Sequence, residues 1–134
     1  MTVSDALFTY AFLGLPAGLL LGMGLGLVAR NGSDGWGGYG SFRRRAARLG
    51  HVSVVMLPLI AGFYGLALEH WIAPGAATPA VAWWAAWLWI GGGALLPVTL
   101  FLTAWRPRLQ LTLPIPATAL TAGAAAFALA HWIG

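Results

Sequence analysis

Four apolar runs, at residues 6–29, 49–72, 81–104 and 111–133, leave this chain almost no choice of fold. Each exceeds the ~20 residues that a helix needs to cross a ~30 Å hydrocarbon layer. Inside such a layer every backbone N–H and C=O must be bonded within the protein, and a run of this length meets that demand as an α-helix. Charged residues make up 7% of the chain, where a soluble domain carries roughly a quarter. The expectation is an all-α integral membrane four-helix bundle. Little of the 134 residues remains outside the four runs, so residues 1–134 form a single domain.

The seven basic residues set the expected orientation. Arg30, Arg43, Arg44, Arg45 and Arg48 fall between runs 1 and 2, and Arg106 and Arg108 between runs 3 and 4. Short cytoplasmic loops collect Arg and Lys, so both stretches read as cytoplasmic and both termini as external, in the inner membrane of a bacterium. The net charge of +4 would point to nucleic acid in a soluble protein. Here it belongs to a juxtamembrane cluster whose ordinary partners are anionic lipids, and no nucleic acid or soluble substrate is implied. Met1 to Asp5 lack the basic start of a cleavable signal, so run 1 is expected to stay as a span. The chain has no cysteine, which excludes disulfides and thiolate chemistry.

Run 1 carries Gly14, Gly18, Gly22 and Gly26 at a spacing of four, one stripe along a helix that another backbone can approach closely. Pro16 is read as one turn in from its external end, where a kink is tolerated if neighbours satisfy the freed carbonyl. Residues 31–41 hold five glycines and read as a surface loop, with Trp36, Tyr39 and Phe42 as headgroup anchors. Ser41 suits the N-cap of a helix from about Phe42 to Ile72, ~46 Å long, whose basic first turns project beyond the lipid on the cytoplasmic side. Trp83, Trp84, Trp87 and Trp89, with Trp71 and Trp132, read as an aromatic belt at the external interface. Gly91, Gly92, Gly93 and Pro97 thin and bend the third span, and Pro114 and Pro116 sit in the first turns of an Ala-rich fourth. Residues 68–72 (LEHWI) echo 129–133 (LAHWI), and Gly62 matches Gly123 at the same offset, as if the two helix pairs were distant copies.

Little in the sequence supports catalysis. The carboxylates Asp5, Asp34 and Glu69 all lie at or beyond the membrane edges, so no buried acid and base pair exists for hydrolysis. Ion-coupled transport places ionisable groups near the bilayer midplane, where this chain has hydroxyls: Ser53, Tyr64, Thr99, Thr118 and Thr121. The histidines are the candidates for a cofactor. His70 and His131 end spans 2 and 4 at a similar depth, which allows one haem b iron between them. His51 lies ~28 Å along the axis from His70 and cannot share a ligand with it, but one imidazole suffices for a chlorophyll-type pigment. His51, His70 and His131 loosely resemble the axial ligands of cytochrome b-like membrane proteins, although that pattern needs two histidine pairs and a fourth histidine is missing.

These readings converge on a non-catalytic accessory subunit of a larger respiratory or photosynthetic membrane complex. Such a subunit packs against other membrane subunits through its glycine-striped first helix. It binds structural lipid or pigment, with Arg43, Arg44, Arg45 and Arg48 meeting lipid headgroups or an acidic partner surface. The alternative is a b-type haem electron-transfer protein with His70 and His131 as axial ligands.

Overall fold

A computed structural model describes residues 2–30, 38, 40–70 and 79–133, with side chains for all of these except 29, 30, 79 and 131–133. The described residues are helical almost throughout and contain no strand. The elements are α1 (Val3–Arg30), α2 (Phe42–His70), α3 (Pro79–Trp105), a 3₁₀ segment (Pro107–Thr112) and α4 (Pro114–Ile133). Four helical stretches, Val3–Val28, Phe42–His70, Ala80–Trp105 and Pro107–Ala130, are long and apolar enough to cross a membrane. The 31–41 loop anchors Trp36 and Tyr39, and Trp71 of the aromatic belt, lie outside the described residues.

The helix starts follow from local side-chain chemistry. At α1 the Thr2 amide donates to Asp5 Oδ2 at 2.7 Å and the Asp5 amide donates to Thr2 Oγ1 at 3.1 Å. This reciprocal box satisfies two amides that a helix start leaves open, and it puts a carboxylate at the positive end of the helix. Because α1 starts at Val3, Pro16 falls at mid-helix rather than near one end. At α2, Ser41 Oγ accepts the Arg44 amide at 3.3 Å and the Ser41 carbonyl accepts the Arg45 amide at 3.1 Å, the expected N-cap.

The fourth span differs from the expected 111–133 helix. Arg106 is extended, as a residue before proline tends to be, and Pro107 opens a 3₁₀ segment that occupies Pro107–Thr112. The α-helix begins only at Pro114, the position where a missing N–H costs nothing.

Neighbouring helices run antiparallel. Gly14 meets Pro58 and Gly22 meets His51 across α1 and α2. Gly50 meets Phe101 across α2 and α3, and Gly92 meets Leu120 and Gly123 meets Trp89 across α3 and α4. The starts of α2 and α4 and the ends of α1 and α3 therefore share one end of the bundle, here the Arg end. Contacts are dense in the order α1–α2–α3–α4, and α1 touches α3 only lightly. The main core lies toward the opposite end and draws on all four helices: Leu7, Ala61, Ala85, Ala86, Trp89 and Phe127. A smaller cluster of Ala46, Ala47 and Ala104 joins α2 to α3 at the Arg end. Outward faces are apolar, with Phe12, Leu13, Leu20, Met23 and Leu111 strongly exposed, as suits a surface that meets lipid or other membrane helices.

Candidate functional site

The glycine stripe of α1 is filled by α2 of the same chain. A Cβ on Gly14 would collide with the Pro58 ring, and one on Gly18 would come within 2.7 Å of the Val55 side chain. The same Gly18 position lies 3.2 Å from the Val54 carbonyl oxygen, which Pro58 deprives of its helical donor. Such close approach suits a Cα–H···O contact that partly compensates the lost bond. Gly22 accommodates the His51 ring. Gly26 has no described residue within 4 Å of its Cβ position. For three of the four glycines, then, the packing partner is an internal helix, which corrects the expectation that the stripe meets another subunit.

His51 is held by this packing. A Cβ on Gly22 would lie 2.7 Å from its Nε2 and 3.2 Å from its Nδ1, so both ring nitrogens face the α1 backbone. Its Nδ1 is buried without a hydrogen-bond partner, as is the Oγ1 of Thr103 on α3.

His70 is exposed at the end of α2. The rings of Tyr64 on α2 and Phe127 on α4 stack at 4.3 Å between centroids and 16° between planes, which fixes the relative depth of the two helices. Counting from that stack, His70 lies ~9 Å and His131 ~6 Å further along, so the two backbones are at a similar level. Six residues of helix carry His70 about 120° around α2 from the side of Tyr64 that meets α4. The two backbones match in depth, and the His131 side chain lies outside the described part.

The deep hydroxyls are turned inward on their own helices. Ser53 donates to the Leu49 carbonyl at 2.7 Å, Thr99 to Leu96 at 2.8 Å, Thr118 to Ile115 at 2.9 Å and Thr121 to Ala117 at 3.0 Å. Trp89 departs from the expected belt. It is buried in the core, edge-on to Tyr64 at 5.0 Å, and its indole N–H donates to the Leu57 carbonyl at 3.3 Å. Its position on the Ala82, Ala85, Ala86 side of α3 explains this, since residues three and four apart share a helix face. Trp83, Trp84 and Trp87 are exposed, as a belt requires.

A cleft absent from the sequence reading opens between α1 and α3, floored by α2. Its volume is about 330 Å³, and its walls include Tyr10, Gly14, Val54, Pro58, Gly93 and Pro97. Tyr10 closes one end, where its hydroxyl oxygen comes within 2.6 Å of the Cβ position of Gly93. The cleft exists because helix-interior prolines and glycines on three helices meet at one depth. That combination of Pro58, Gly93 and Pro97 was visible in the sequence, but its convergence needed the helix register.

At the Arg end, Arg43, Arg45 and Arg48 are exposed and Arg44 is partly buried in the first two turns of α2. The described carboxylates, Asp5 and Glu69, stand at the other end of the bundle. Cations at a helix N-terminus oppose the helix dipole, so this cluster costs α2 some stability. Among the described residues no group of three or more His, Asp or Glu side chains is placed to hold a metal ion. No known protein family matches the chain, and no curated protein or solved structure is significantly similar to it.

Proposed function

We propose that this chain is a non-catalytic packing subunit of a larger membrane assembly, inserted in a bacterial inner membrane with the Arg end in the cytoplasm and both termini external. One observation carries the reading. The deep hydroxyls that could have handled a substrate or ion, Ser53, Thr99, Thr118 and Thr121, each donate to a carbonyl of their own helix. Beyond them the interior is mainly apolar close packing between glycines, alanines and rings, with His51 Nδ1, Thr103 Oγ1 and the Tyr10 hydroxyl as scattered polar groups on three helices. A chain of this kind contributes shape and surface rather than chemistry.

The surface it contributes is the outer face of α1. That helix sits at the edge of the bundle, with α2 as its main neighbour, and Phe12, Leu19, Leu20, Met23 and Leu27 face outward along most of its length. With the glycine stripe occupied by α2, this larger ridge is the docking face for other membrane subunits. A respiratory or photosynthetic complex is the class of assembly proposed.

The test is native electrophoresis and mass spectrometry after mild solubilisation of the source membranes. The expected result is a stoichiometric assembly with other membrane subunits whose amount falls when this chain is deleted. Migration of the chain alone, with every membrane complex intact in its absence, contradicts the proposal.

A further inference from the structure

We propose that the cleft between α1 and α3 is the binding site of one anionic phospholipid, with an acyl chain lying in the cleft and the headgroup on the arginines that start α2. This deepens the lipid-binding part of the sequence reading and rests on the Arg end facing one leaflet. It does not depend on any partner subunit.

The first argument is alignment. On α2 the cleft floor is Val54 and Pro58. Residues 43, 54 and 58 fall within about 60° of one another around the helix at 100° per residue, so Arg43 stands near the line of the cleft floor, on the side where Ala47 packs on Ala104 of α3. The second is length. Arg43 and Pro58 are fifteen residues apart, ~22 Å along the helix, and half of a bilayer with its headgroup regions is ~20–22 Å. A lipid of one leaflet with its phosphate at Arg43 therefore ends its chain at the level where Tyr10 meets Gly93 and the cleft closes.

The third argument is access. Beyond Gly22 the first helix leaves the described parts of its neighbours: Gly24 and Gly26 have none of them within 4 Å of their Cβ positions, and Leu27 is well exposed. Among the described residues the cleft is thus bordered toward the Arg end by Leu21 and Phe101, with α1 uncovered beyond them, and at the other end by Tyr10 and Gly93. The fourth is charge. Arg43, Arg44, Arg45 and Arg48 crowd a helix N-terminus, where amide dipoles and guanidinium groups add their positive potential and a phosphate relieves the repulsion among them. Among the cleft-lining side chains Tyr10 alone is polar, so the walls select hydrocarbon. An acidic peptide would meet the arginines but not the cleft, and a second copy of this chain would bring its own arginines against them.

The probe is native mass spectrometry of the full-length chain released from nanodiscs of equimolar long-chain phosphatidylglycerol and phosphatidylcholine. Retention of one phosphatidylglycerol in preference to phosphatidylcholine is expected. In Ala94→Trp the indole fills the cleft from an exposed position on its α3 wall, and retention of either lipid is lost. Val98→Trp, at another exposed position on the same wall, gives the same result should the first variant fail to fold. Arg43→Gln keeps the cleft and lowers the preference for phosphatidylglycerol about fivefold, the effect of roughly 1 kcal/mol per arginine at a charged lipid surface. Undiminished retention in a folded cleft-filled variant, equal retention of the two lipids by the unaltered chain, or a two-chain mass in place of the lipid adduct overturns the proposal.

Discussion

Gly22 of α1 and His51 of α2 are packed so closely that the imidazole occupies the space in which any other residue at position 22 would carry its side chain. The same sequence stripe ends four residues later at Gly26, which no described residue approaches. One periodic pattern thus contains both a tight helix contact and a position without one. Gly22→Leu is expected to destabilise the fold by about 1–3 kcal/mol through overpacking, while Gly26→Leu stays within about 0.5 kcal/mol. Reversible unfolding in mixed micelles separates them. Equal effects of the two substitutions would mean that α1 does not pack on α2 in this register.

The indole of Trp89 supplies a hydrogen bond between helices, donating to the Leu57 carbonyl, whereas the indole of Trp84 faces outward. Trp89→Phe is expected to cost about 1 kcal/mol, from an interhelical bond averaging ~0.6 kcal/mol and the lost ring volume. Trp84→Phe is expected to be near neutral. Brominated-lipid quenching gives a second readout: with the remaining tryptophans replaced by phenylalanine, Trp84 is quenched strongly and Trp89 weakly.

Tyr64 and Phe127 join α2 to α4 across the core by their stacked rings. A double-mutant cycle with Tyr64→Leu and Phe127→Leu is expected to return a coupling of about 0.5–1.5 kcal/mol, the usual range for an aromatic pair. Additive effects would show that these two helices do not meet at this depth, and would remove the registration that levels His70 with His131.

How far the sequence was legible depended on whether a feature is local. The presence of four long apolar helices, the Ser41 cap and the clustering of arginines are properties of contiguous residues, and the structure has each, although the fourth α-helix starts only at Pro114. The echo between helix pairs also has a structural counterpart: Gly62 meets Ala11 of α1 as Gly123 meets Ala85 and Trp89 of α3. The features that the sequence concealed depend on which helix faces which. The glycine spacing showed that α1 would be approached closely but not that α2 would do so. The tryptophans looked alike until helix packing turned Trp89 inward. The cleft needed Pro58 and Pro97 on two helices to meet Tyr10 on a third, and no single stretch of sequence encodes that meeting.

The account stands most directly on four crossings of the bilayer with the Arg end inside. Because residues 1–134 include no cysteine, a single introduced thiol among them reports its own side without background. Thr2→Cys and Gln110→Cys place exposed thiols at opposite ends of the bundle, one before α1 and one in the 3₁₀ segment. The measurement is labelling of intact cells with a membrane-impermeant maleimide. The account predicts that Thr2→Cys reacts at once and Gln110→Cys only after the membrane is breached; the reverse order, or equal reaction of both in intact cells, contradicts it.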